Sequence, residues 1–114
     1  MKKELLAEVE GRYVRSCCSI PKYGIVTLQI YRIDSQEIRF ENHCPPERLP
    51  ERFAEGVEEG VYYFASEHGI QGIQVELLDG GWHESDSHKR DFMFAAILAL
   101  FKVFPQKNEV QEEK

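Results

Sequence analysis

The pattern of this 114-residue chain predicts an α+β fold, a two-layer sandwich ordered β-β-β-α-β-α. Three observations carry that reading. Val26, Leu28 and Ile30 sit two apart in a run rich in β-branched and aromatic residues, the signature of a half-buried strand. Phe53, Val57, Val61 and Phe64 recur four, four and three apart, which is helical spacing. Residues 92–101 are uncharged and apolar nearly all round, yet span only about half a bilayer, so they read as a helix buried on more than one side or facing a partner. Together they give a four-stranded, mostly antiparallel sheet with two helices on one face.

Taken in order, residues 8–15 read as the first strand, with Val9 and Tyr13 pointing inward, and 16–22 as a loop. Residues 23–33 form the clearest strand, 34–36 a turn, and 37–42 a returning strand with Ile38 and Phe40 on one side; these first 42 residues read as an antiparallel meander. Pro45-Pro46 ends the sheet pattern. Pro50 opens a helix, where its missing N–H is harmless, and Gly69 closes it. Gly56 and Gly60 weaken that helix by roughly 1 kcal/mol each against Ala, which close approach of helix to sheet would explain. Ile73, Val75 and Leu77 alternate with Gln74 and Glu76, so one strand face is buried, and 78–81 reads as a turn. The second helix runs from about 87 to 104, capped by Ser85 or Asp86. The chain divides into one domain, 1–104, and a flexible polar tail, 105–114.

A chain with 42% hydrophobic and 11% aromatic residues buries a real core, which excludes wholesale disorder. Its start lacks a long apolar stretch and a small-residue cleavage site, so cytoplasm is the expected location, with no membrane contact. Cys17, Cys18 and Cys44 are odd in number, and two are adjacent; reduced thiols fit better than a disulfide framework. Net charge is −6, which argues against a general nucleic-acid binder. Residues 51–81, however, hold seven acids against one base and account for all of it, whereas Arg12, Arg15 and Lys22 stand without an acid between them. The molecule therefore reads as polar in its charge, with an acidic helix and a mildly basic end.

The sequence has no Gly-x-x-x-x-Gly-Lys-Ser/Thr loop, no Gly-x-Ser-x-Gly elbow and no His-Glu-x-x-His. No catalytic residue, cofactor or metal is assigned. His83 and His88 with the three cysteines match no standard finger spacing, and unpaired surface histidines with small buried thiols are the better reading. Trp82 beside His83 is either a stacking pair for bases or peptide groups, or a ring packed on the end of the sheet beside a solvated imidazole.

The stretch Leu77-Leu78-Asp79-Gly80-Gly81-Trp82-His83-Glu84-Ser85-Asp86-Ser87, followed by Phe92 and an Ala-rich apolar helix, resembles the fourth domain of elongation factor G. Gly11-Arg12-Tyr13-Val14-Arg15, Tyr23-Gly24-Ile25-Val26, Phe40-Glu41-Asn42, Leu49-Pro50-Glu51-Arg52-Phe53 and Gly60-Val61 resemble further segments of it, in order, over about residues 9–104. The resemblance implies the fold of that domain and of the second domain of ribosomal protein S5, with a left-handed crossover. It also implies that two tip loops, here 16–22 and 82–88, reach the decoding site of the small ribosomal subunit. The family's tip histidine falls on His83 and its Asp-Ser pair on Asp86 and Ser87.

This sequence departs from the family mainly at the tip. The family's Gly-rich first loop is replaced by Cys18-Ser19-Ile20-Pro21-Lys22, and the second loop continues into the more basic His88-Lys89-Arg90. The expected function is a non-catalytic, stand-alone domain that contacts the small ribosomal subunit or structured RNA, without GTP. Arg12, Arg15, Lys22, Trp82, His83, Asp86, Ser87, His88, Lys89 and Arg90 are the candidate contacts. The alternative is a protein-interaction module, homo-oligomeric through the apolar second helix, that has kept the fold and lost ribosome binding.

Overall fold

A computed structural model describes residues 3–15 and 21–105. The element order is β1 (Lys3–Arg15), β2 (Lys22–Ile33), β3 (Ile38–Asn42), α1 (Glu51–His68), β4 (Ile73–Gly81) and α2 (Lys89–Val103). This is the predicted order. The tail 106–114 and the loop residues 16–20, with Cys17 and Cys18, lie outside the described residues.

The four strands form one sheet in the order β1-β2-β4-β3. β1 and β2 pair antiparallel, from Lys3 opposite Ile33 to Arg15 opposite Lys22. β4 pairs antiparallel with β2, from Ile73 opposite Arg32 to Gly81 opposite Ile25. β3 lies at the edge, parallel to β4, with Ile38 opposite Ile73 and Asn42 opposite Leu77. The meander expected for the first 42 residues is thus corrected: β2 and β3 are not neighbours. Gly72 sits between their ends, its carbonyl accepting the Ile33 N–H at 3.0 Å and its N–H reaching the Glu37 carbonyl at 3.0 Å. The β4 segment enters there. It is the one best suited to a central place, since Ile73, Val75 and Leu77 are buried on one face and Gln74 and Glu76 on the other. The expected turn at 78–81 is the last part of this strand, carried past an irregularity opposite Thr27 and Leu28.

Both helices pack with the sheet around a single core. Val26, Leu28, Ile30, Val57, Val61, Val75, Leu77, Phe92, Ala95, Ala96, Ala99 and Leu100 are all fully buried in it, with Phe53, Phe64 and Cys44 almost so. The glycines show how tightly α2 is held. A Cβ on Gly11 of β1 would collide with the Ala95 carbonyl, and one on Gly56 of α1 with the Lys89 carbonyl. One on Gly60 would come within 2.5 Å of the Met93 carbonyl. Gly56 and Gly60 therefore serve close approach of α1 to α2, and the expected approach to the sheet is corrected. α2 is apolar nearly all round because β1–β2 covers one side and α1 another. Its third side leaves Phe94, Leu98 and Phe101 36–41% exposed. Gly69 ends α1 with φ 64°, a left-handed cap, and its N–H bonds the Ala65 carbonyl.

Candidate functional site

The end of the molecule implied by the resemblance is built from the far end of the β1–β2 hairpin and from residues 82–88 between β4 and α2. Arg15 and Lys22, opposite each other, are the last ladder pair of the hairpin. The 82–88 segment is a tight turn: the Asp86 and Ser87 N–H groups donate to the His83 carbonyl at 3.3 and 3.0 Å. The His83 N–H donates to Ser87 Oγ at 2.8 Å. Ser87 Oγ–H in turn donates to the Tyr23 carbonyl at 2.7 Å. Asp91 adds a second tie, its Oδ2 accepting the Tyr23 N–H and the His88 N–H, each at 3.1 Å. The Asp91 side chain is 3% exposed. The two segments are thus neighbours, locked through Tyr23.

The expected cap of α2 is corrected. His88 is the N-cap, and Asp91 at the third helical position returns its carboxylate to the His88 N–H. Ser85 and Asp86 lie outside the helix, and Ser87 holds the turn. Sequence reasoning passed over Tyr23 and Asp91 as site residues. A carboxylate three residues after the N-cap was the available signal for Asp91, masked because His is a weak N-cap. Nothing local marks Tyr23, which contributes through its backbone.

The candidate side chains separate into two groups. Arg15, Lys22, His83, Asp86, Ser87 and His88 gather at the hairpin end. Arg15 lies on the β1 face that carries Tyr13, its guanidinium 5.6 Å from that ring. Arg12 is mid-strand with the opposite parity and lies 4.0 Å from Glu10, so it does not join Arg15. Lys89 turns to α1, 2.8 Å from Glu59 and 3.8 Å from Glu55; the hydrogen bond to Glu59 pushes its pKa up. Arg90 is exposed on the first turn of α2. The basic end expected from composition is accordingly mixed, since the 82–88 turn fastened to the hairpin end carries Glu84 and Asp86.

Trp82 and His83 diverge. The Trp82 ring packs on Phe53 at 5.6 Å and beneath Arg52 at 6.0 Å, leaving 36% exposed. The ring is packed, but on Phe53 and Arg52 of α1 rather than on the end of the sheet as expected, and it keeps an exposed flank. His83 turns toward Tyr23, ring centroids 6.2 Å apart, and lies 3.8 Å from Asp86. Cys44 is buried in the core, where burial pushes its thiol pKa up.

The family described as elongation factor G, domain IV, matches residues 6–108. The chain belongs to this family. Elongation factor G of Fervidobacterium nodosum is 27% identical over 109 residues, covering 90% of this chain and 16% of the relative. Elongation factor G 2 of Syntrophomonas wolfei is 34% identical over 107 residues, covering 88% and 15%. A Thermus thermophilus protein of known crystal structure superposes with a TM-score of 0.74 at 27% identity, covering 90% of this chain and 16% of that one. The chain therefore spans about one sixth of the length of the relatives it matches. The domain IV fold is that expected from the resemblance, and none of the described helices is long and apolar enough to cross a membrane.

Proposed function

We propose that this chain is a non-catalytic, cytoplasmic elongation factor G domain IV-type module that docks on the small ribosomal subunit through its hairpin end. The observation that carries the reading is the Tyr23–Ser87–Asp91 lock, which fastens the 82–88 turn to the described end of the β1–β2 hairpin. Arg15, Lys22 and Arg90 supply phosphate contacts there, and His83 with the free flank of Trp82 supplies stacking. No GTP chemistry is assigned to it. Co-sedimentation with small ribosomal subunits tests the proposal. Binding at low salt that weakens at high salt supports it, and absence of binding at low salt refutes it.

A second reading rests on a separate observation. Phe94, Leu98 and Phe101 recur four and three apart and form an exposed apolar stripe on α2. Self-association through that stripe would cover it. Light scattering at high concentration tests this reading: a dimer that Leu98→Lys dissociates supports it, and a monomer refutes it.

A further inference from the structure

We propose that Glu41, His43 and Glu76 form a binding site for a divalent transition-metal ion, with Zn²⁺ the best chemical fit. The three side chains lie on the sheet face opposite the helices, with Glu76 midway along β4 opposite Gln29 rather than at the hairpin end. Glu41 and Glu76 are set by the paired strands β3 and β4, and His43 follows β3 by one residue. Glu41 of β3 is directly opposite Glu76 of β4 in the parallel register. His43, two residues on, shares the face of Glu41, and its N–H donates to the Leu77 carbonyl at 2.9 Å. Sites built on strands hold their ligands more accurately than sites built on loops.

The distances suit a shared ion. His43 Nε2 is 2.9 Å from Glu41 Oε1 and 3.7 Å from Glu76 Oε1. One ligand atom from each of the three residues lies within 4.8 Å of the others, and this is the only such trio of His, Cys, Asp and Glu among the described residues. Metal–ligand bonds of about 2.0–2.2 Å require ligand atoms roughly 3.3–3.5 Å apart in a tetrahedral site, so small side-chain adjustments suffice.

Glu76 supplies an independent pointer. Its side chain is only 7% exposed. Lys3 Nζ at 2.5 Å and Gln74 Nε2 at 2.6 Å both donate to Oε2. Neither of these bonds serves Oε1, which faces the exposed Glu41–His43 pair. The Lys3 ammonium already meets Oε2, while Oε1 has only the His43 imidazole at 3.7 Å, and an ion held against His43 and Glu41 would meet Oε1 more closely. Lys3 and Gln74 then act as supporting groups that hold the carboxylate in its rotamer. One imidazole and two carboxylates give three protein ligands and leave a fourth position to water, an arrangement Zn²⁺ accepts. Ca²⁺, which needs six to eight oxygens, is not served. The bound ion would cross-link the edge strand β3 to the central β4.

Isothermal titration of the chelator-stripped full chain with ZnCl₂ tests the site, in a Cys17→Ser, Cys18→Ser background that removes competing thiols. The expected result is one equivalent bound, weakened more than about tenfold by His43→Ala and unchanged by His83→Ala. His43 is half exposed, so its replacement leaves the core intact. Zn²⁺ should also raise the Tm of the parent but not of His43→Ala. No uptake by the stripped chain, or equal affinity in parent and His43→Ala, overturns the proposal.

Discussion

The Ser87 hydroxyl donates a 2.7 Å hydrogen bond to the Tyr23 carbonyl, 64 residues earlier in the chain. That hydroxyl is also the acceptor for the His83 N–H, so one side chain closes the 82–88 turn and fastens it to the hairpin. Ser87→Ala removes both bonds. The expected cost is about 1–2 kcal/mol, since each is partly exposed and worth roughly 0.5–1.5 kcal/mol net. Denaturant unfolding measures the loss, and amide exchange should speed up at His83 before it does in the core strands.

Asp91 carries a larger share of the same junction. Its buried carboxylate accepts from Tyr23 and His88 together, so Asp91→Ala leaves two N–H groups without their acceptor and removes the reciprocal half of the helix cap. Roughly 2–3 kcal/mol of destabilisation is expected, above that of Ser87→Ala. Thermal unfolding of the two variants in parallel checks the ranking.

Glycines separate packing from backbone freedom. Gly60→Ala places a methyl 2.5 Å from the Met93 carbonyl, a backbone atom that cannot step aside without moving α2. The overpacking cost, about 1–3 kcal/mol, exceeds the gain of roughly 1 kcal/mol in helix propensity. Gly69→Ala meets no atom within 4 Å, and its cost of about 1 kcal/mol comes from φ 64° alone. Unfolding midpoints should thus fall in both variants. A second change that shortens a neighbouring side chain would rescue neither, because the obstacles are backbone.

These glycines also show what was legible in the sequence and what was not. The element order and the faces of β2 and α1 could be read because burial alternation and helical spacing are local patterns. Strand order could not be read. Alternation says which way Ile38 or Val75 points but not which strand lies alongside, so β4 between β2 and β3 is invisible to periodicity. Gly56 and Gly60 advertised a close approach, yet no local rule distinguishes a helix from a sheet as the approaching surface. At the hairpin end, strand parity alone would have separated Arg12 from Arg15. The turn of Lys89 toward Glu59 depends on the packing of α1 against α2, which the sequence does not display.

Cys44 offers a chemical test of the core. Burial raises its pKa, so the folded chain keeps it a thiol where an unfolded chain ionises it, near pH 8.5. The folded state then binds more protons than the unfolded one, and the contribution of Cys44 to stability falls as pH rises past that value. Iodoacetamide labelling followed by peptide mapping should find Cys44 alkylated far more slowly in the native chain than in urea. Equal rates would place the thiol at the surface.

The division of the basic residues gives the sharpest prediction about binding. If the hairpin end docks on ribosomal RNA, only bases presented there can displace counterions from phosphate. Arg15, at the hairpin end, qualifies, as does Arg90, exposed on the first turn of α2 just after the 82–88 turn; Arg12, on the other face of β1, and Lys89, held by Glu59 and Glu55, do not. Arg15→Gln and Arg90→Gln should each weaken co-sedimentation with small subunits and reduce the slope of log affinity against log salt by about 1. Arg12→Gln and Lys89→Gln should leave that slope unchanged. The contrast is diagnostic because all four substitutions alter net charge by the same amount, so a nonspecific electrostatic attraction would respond equally to each. An equal response would move the contact away from the hairpin end, even if binding itself persisted.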